Sequence, residues 1–316
     1  MERRTQCTGK NATPLRQFQG ADSVFQLQGY NAQKASFSRT IHVKQIGHAL
    51  LTLTPPNSTE KETYLITLPS LHIESLIYGS PFVELNKYTH IASTTGYVAK
   101  IDYSGKGWLS GKKNSFTAAL WKEGEGSDKH PLYTVDGQWN EGFTIREGEG
   151  KHGKEIDYYD AKAAKTTPLT VAPIEEQDPY ESRKAWANVA RSIEKGDMDA
   201  TSHYKSRIEV AQRALRKKEQ DDKREWNRVF FSQVSPDSPE EATFQMLVKM
   251  ISGVNGWQGV EPEKTAGVWR FDPEKAKNAA PPYHAEGVLG LGENEDGTSA
   301  PVSQTTTRTS TDSSLK

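Results

Sequence analysis

Between residues 21 and about 160, some ten short stretches alternate apolar with polar side chains, and no helical period runs between them. SVFQLQGY, SFSRTIHVKQI, TYLITLP, SFTAALWKE and GFTIRE are typical. They are rich in β-branched and aromatic residues, and Gly, Pro, Asn and Asp break them at close intervals. That pattern predicts many short antiparallel strands. Strands in unbroken succession, without helices between them, predict one large curled sheet or barrel whose lumen holds side chains or a ligand.

The texture changes at about 160. Pro168, Pro173 and Pro179 punctuate an extended crossing segment. Ser182 or Glu181 is placed to cap a helix over RKAWANVARSIEKG, with Gly196 as its stop. A long, heavily charged helix is expected from about Met198 to Phe230, a short one over EATFQMLVKMIS, and an extended piece over GVWRFDPEKA that packs through Trp269 and Phe271. Residues 1–20 are patternless and 281–316 lose their apolar content. Neither segment can bury a core, so both are expected to be disordered, leaving one domain over 21–280.

Composition excludes several classes. Lys+Arg 40 against Asp+Glu 41 leaves a net charge of -1, which argues against bulk binding of nucleic acid. The single cysteine, Cys7, forms no internal disulfide and supports no cysteine zinc site. The eight histidines are scattered, without the spacing of a metal site. No apolar run is long enough for a membrane-spanning helix, and the N-terminus lacks the apolar stretch of a signal peptide. Gly148-Glu-Gly150-Lys-His-Gly153 matches the dinucleotide fingerprint, but a strand pattern follows it where a helix is required, so it reads as a hairpin loop. Nothing promotes a catalytic constellation; no enzyme, cofactor or metal is expected. A monomeric cytoplasmic protein is the working class.

One polar pattern stands out. Lys205, Glu209 and Arg213 fall at i, i+4 and i+8 on the long helix and share a face. Spacing alone leaves two readings open. One is a solvated stripe of ion pairs, each contributing a few tenths of a kcal/mol. The other is an anion site in which Glu209 braces the two cations around a phosphate.

Several blocks resemble a known family. KASFSRTIHVKQIGH (34–48), LPSLHIESLIYGSPFVEL (68–85), IDYSGKGWLSGKKNSFTA (101–118), LYTVDGQW (132–139) and EEQDPYESRKAWANVARSI (175–193) are similar to the lipid-binding domain of the oxysterol-binding protein family, above all its short fungal members. The resemblance runs from about 23 to about 272. It implies an incomplete antiparallel β-barrel around a lipid tunnel, followed by a helical region. It implies a lipid-transfer protein that exchanges sterol for phosphatidylinositol 4-phosphate between membranes. On it, Asn31 and Gln45 match polar wall residues near a sterol hydroxyl, Lys34 a lysine at the tunnel mouth, and Lys205, Glu209 and Arg213 the headgroup positions. Transient membrane contact is expected through basic residues such as Lys112, Lys113, Lys217 and Lys218.

The chain departs from the family in one place. The fingerprint E-Q-x-S-H-H-P-P, expected just before residue 23, is absent, as is the lid that closes the tunnel. MERRTQCTGKNATPLRQFQGADS stands there instead. The expectation is an N-terminal truncation that lacks the first strands and the two phosphate-binding histidines. It leaves a sheet edge open and phosphoinositide binding weak. A non-transporting, lipid-sensing or scaffold remnant is the alternative that this departure raises.

Overall fold

The structure, a computed structural model, describes residues 3–6 and 15–19 as backbone, and 25–38, 40–55, 58–75, 79–105, 111–166, 171, 173–177, 179–226 and 228–280. Twelve strands form one sheet: β1 (Arg3–Gln6), β2 (Leu15–Gln19), β3 (Phe25–Phe37), β4 (Ile41–Leu53), β5 (Glu62–Thr67), β6 (Ser70–Glu74), β7 (Phe82–Ser93), β8 (Tyr97–Tyr103), β9 (Ser115–Lys122), β10 (Tyr133–Gln138), β11 (Gly142–Glu147) and β12 (Lys154–Asp160). They follow one another in chain order, all antiparallel, except that β6 pairs with β4 and β7 off the main path. Among the described residues the sheet is open rather than a closed barrel, since there β1 pairs only with β2 and β12 only with β11. The GxGxxG segment is the β11–β12 connection, as its sequence context requires.

Two strands fall where none was expected. The 1–20 segment has no alternating pattern, yet Arg3–Gln6 and Leu15–Gln19 form a hairpin that adds onto β3. Pairing with an edge strand satisfies backbone N–H and C=O groups whatever the side chains are, so alternation is not required. The 281–316 tail lies outside the described residues.

After the sheet come α1 (Ser182–Ala185), α2 (Ala187–Glu194), α3 (Met198–Asp221), β13 (Phe231–Val234), α4 (Ala242–Ile251), β14 (Val268–Phe271) and α5 (Pro273–Asn278). Gly196 (φ +71) ends the α2 hairpin as expected, and Asp197 caps α3 by accepting from the Ala200 amide. α3 stops at Asp221, not near 230. Lys223 takes a left-handed conformation (φ 51), and the Arg224 amide turns back to donate to the Glu219 carbonyl.

The alternation gives the sheet two faces. One carries Tyr30, His48, Leu65, Ala92, Val98 and Trp121, all buried. α4 covers it with Phe244, Leu247 and Ile251, and the β13–β14 ribbon adds Phe231, Val268 and Trp269. Arg270 locks this layer. It grips Glu241 with Nε at 3.1 Å and Nη2 at 2.5 Å, lies 4.8 Å over the Phe244 ring, and donates through Nη1 to His48 Nε2 at 2.9 Å.

Because Nε2 of His48 accepts, the ring is neutral. Burial, reinforced by the Arg270 charge, holds its pKa well below 6.5. His90, whose Nε2 lies 3.2 Å from the Asn255 carbonyl, is lowered by burial too. Both groups protonate more readily unfolded than folded. Their contribution is therefore complete above the unfolded pKa of about 6.5 and is lost as pH falls below it. Stability is expected to drop by up to about 1.4 kcal/mol per pH unit for each histidine in that window. Urea titrations from neutral pH downward check this, and His48→Gln should flatten the slope.

Candidate functional site

The face turned away from α4 is apolar but partly exposed. Cross-strand register aligns Gly29, Ala49, Ile66, Ile91, Ala99 and Leu120 in one row across β3, β4, β5, β7, β8 and β9. A second row follows with Ile101, Ala118, Val135 and Ile145. Rings continue it toward the β12 edge: Phe116 meets Phe143 edge-on at 5.5 Å, and Phe143 stacks on Tyr159 at 5.0 Å. Gly137 makes room there, for a Cβ on it would come within 2.5 Å of the Phe143 Cα. Small and branched residues in register thus make a broad lane suited to an apolar ligand.

Asn31 and Gln45 stand beside this lane. β3 and β4 pair without a bulge from Phe25 to Phe37, so Asn31 shares a face with Gly29 and sits diagonally from Gln45, which faces Gln33. The two side chains meet: Asn31 Nδ2 donates to Gln45 Oε1 at 3.3 Å, and Gln45 Nε2 donates to the Pro69 carbonyl at 2.8 Å. Asn31 Oδ1 is buried without a hydrogen-bond partner among the described residues. An acceptor that the fold itself leaves unsatisfied is one that a ligand hydroxyl can pair with once the side chains covering it move aside. Gln45 also borders a cavity of about 50 Å³, which has room for a few waters and none for a lipid.

Lys34 is not with them. Its even position on β3 puts it on the opposite face, exposed and directly across from Lys44, whose ammonium pairs with Glu261 at 2.8 Å. Period-two geometry separates Lys34 from Asn31 as long as the strand stays regular.

The stripe is on α3 as spacing required. Thr201, Ile208, Ala211 and Leu215 are the buried side of α3, which packs on α2, while Lys205, Glu209 and Arg213 are exposed. Lys205 and Glu209 form an ion pair. That hydrogen bond and the two nearby positive charges hold the Glu209 carboxyl below its ordinary value. Asn31 and Gln45 therefore form one locus on the sheet and the stripe a second on the helix.

Sequence reasoning missed the Pro69 carbonyl and the continuity of the apolar rows. The first carries no side-chain signal. The second depends on register, which alternation within single strands does not specify.

Comparison with known proteins places the chain. The sequence model described as oxysterol-binding protein matches residues 16–192, more than half its length. The chain belongs to the oxysterol-binding protein family. It is 44% identical over 220 residues to Protein kes1 of Schizosaccharomyces pombe, covering 69% of this chain and 55% of that one. It is 43% identical over 194 residues to Protein KES1 of Mycosarcoma maydis, covering 61% and 49%. It is 38% identical over 258 residues to the probable transporter efuK of Hormonema carpetanum, covering 81% and 35%. The chain thus spans about half the length, or less, of these relatives. The fold is similar to the crystal structure of the Osh1 ORD domain in complex with cholesterol, with a TM-score of 0.57 at 15% identity over 87% of this chain and 67% of that one. It is also similar to the Osh3 ORD in complex with PI(4)P from Saccharomyces cerevisiae, at 0.50 and 17% over 80% and 68%.

Proposed function

We propose that the chain binds a sterol along the apolar rows of the open sheet face, takes phosphatidylinositol 4-phosphate through the α3 stripe, and exchanges the two between membranes. The observation that carries the sterol part is the unpartnered, buried Asn31 Oδ1 beside an apolar lane six strands wide. A sterol is a flat apolar body with one hydroxyl, and Asn31 Oδ1 beside this surface is an acceptor that no described residue satisfies. The ligands in the similar Osh1 and Osh3 structures support the same pair of cargoes. Membrane contact is transient and peripheral, through exposed lysines such as Lys112, Lys113, Lys217 and Lys218, and the protein acts as a cytoplasmic monomer.

Asn31→Leu is expected to weaken sterol uptake by about 1 kcal/mol, roughly fivefold, the net worth of one hydrogen bond. Phosphoinositide uptake should change less. Sterol binding to the purified chain that ignores the replacement ends the polar-wall assignment.

The α3 stripe is tested by a sign. If Glu209 braces Lys205 and Arg213 around a headgroup, Glu209→Ala weakens phosphoinositide extraction from liposomes although it removes a negative charge. A merely solvated stripe gives equal or tighter binding, through the gain in positive potential. Arg213→Ala should cost roughly tenfold or more, the scale of a charge-assisted bond to phosphate.

A further inference from the structure

The sheet ends at β12, which pairs with β11 alone among the described residues. All seven residues of the strand are exposed. An edge of this kind presents backbone N–H and C=O groups that another strand can pair with. The register shifts between Ile145 and Arg146, which leaves Ile156 as the extra residue of a bulge. The regular run open to a partner is therefore Asp157–Asp160, two carboxylates around two tyrosines.

The tyrosines give this edge an apolar grip on both faces. Tyr159 stacks on Phe143 on the lane side. Tyr158 lies over Gly142 on the other, where a Cβ would come within 2.3 Å of its hydroxyl. Both rings lean back onto β11, yet they stay 47% and 58% exposed. The carboxylates carry the selection. Asp157 accepts from the Tyr158 amide at 2.8 Å, and Asp160 from the Lys162 and Ala163 amides at 2.9 and 3.1 Å. Neither makes an ion pair among the described residues, whereas Glu155 has Arg146 at 3.8 Å.

Charge on an edge strand guards it against pairing with itself. Two copies of β12 set antiparallel about Asp157 would oppose the two Asp157 side chains. Set about Tyr158, they would oppose Lys154 to Lys162; set between the two, Glu155 to Asp160. Like charges directly opposite one another destabilise a strand pair, and opposite charges stabilise it. The same carboxylates thus turn away a second copy and favour a basic strand. We propose that β12 is a docking edge for an extended peptide of another protein, one in which two Lys or Arg residues flank two bulky apolar residues. The cations would oppose Asp157 and Asp160, and the apolar pair would cover Tyr158 and Tyr159. Main-chain hydrogen bonds then supply the affinity and the side chains the choice of partner.

The test titrates two fluorescently labelled peptides, GTKVYKTG and GTEVYETG, into the full chain at low salt and follows anisotropy. The basic peptide should bind, and the acidic one should bind roughly tenfold more weakly or worse, since two attractive cross-strand pairs become repulsive. Salt should weaken the basic complex. Bound peptide should slow amide hydrogen exchange across residues 154–160. Asp157→Lys and Asp160→Lys combined should reverse the preference, a gain for the acidic peptide that damage to the fold does not produce. Sedimentation of the chain alone should show a monomer; a dimer that Asp157→Asn tightens makes a second copy the occupant and overturns the proposal. Equal binding of the two peptides, no binding of GTKVYKTG at about millimolar concentration, an unreversed preference in the double variant, or binding without protection of β12 overturns it as well.

Discussion

Glu241→Gln is expected to destabilise the protein by about 3–5 kcal/mol, the usual consequence of removing one partner of a buried ion pair. The Arg270 and Glu241 side chains are 12% and 9% exposed. Arg270 would keep its charge, its place over Phe244 and its bond to His48, but would lose the carboxylate it pairs with among the described residues. The loss is read from urea denaturation as a lower midpoint at unchanged slope. Replacing both Glu241 and Arg270 by Met should recover much of it, because neither charge then remains uncompensated. A single-variant loss below about 1 kcal/mol would put the pair in the class of surface salt bridges and refute its role as the lock between sheet and helix layer.

Gly47→Ala is expected to act on fold and site together. Gly47 sits at φ +123 opposite Asn31, and a Cβ on it would lie 2.2 Å from the Tyr30 carbonyl oxygen. Nothing flexible can yield there, since the obstacle is backbone. The left-handed strain and the clash should each cost on the order of 1–3 kcal/mol. Relief by parting β3 from β4 would also shift Asn31 away from Gln45. Gly29→Ala is the graded comparison. Its added Cβ would meet the His48 oxygen at 3.0 Å and the Ala49 Cβ at 3.1 Å, a tight contact and not a collision. Thermal midpoints should fall in the order wild type, Gly29→Ala, Gly47→Ala, and sterol uptake should follow them. Equal midpoints for the two glycine variants would show that the β3–β4 register is not constrained at this point.

Much of this was legible in the chain itself, for identifiable reasons. Period two and closely spaced turn residues fix β3 to β12 as antiparallel strands, because each side-chain choice there acts locally. Period 3.6 puts Lys205, Glu209 and Arg213 on one side of α3 for the same reason. The end of α3 is not legible in the sequence, because 222 to 230 keeps helix-forming residues and it is the left-handed turn at Lys223 that stops the helix. The β1–β2 hairpin leaves no mark in the sequence because backbone pairing needs no side-chain pattern.

What an individual strand faces, and who meets whom across it, was decided by tertiary structure. Asn31 and Gln45 carry no mutual signal; their contact exists because β3 and β4 pair in one register and Gly47 lets the backbones close. Lys34 matches its neighbours in sequence yet stands on the other face, since one residue along a strand reverses direction. The clamp that holds the layers joins Arg270 to His48 across 222 positions, and no local preference encodes a contact at that separation. Local sequence determined the elements because propensity and alternation are short-range. The lane and the Asn31–Gln45 pair beside it were set by packing, because each is made of surfaces that separate elements present to one another.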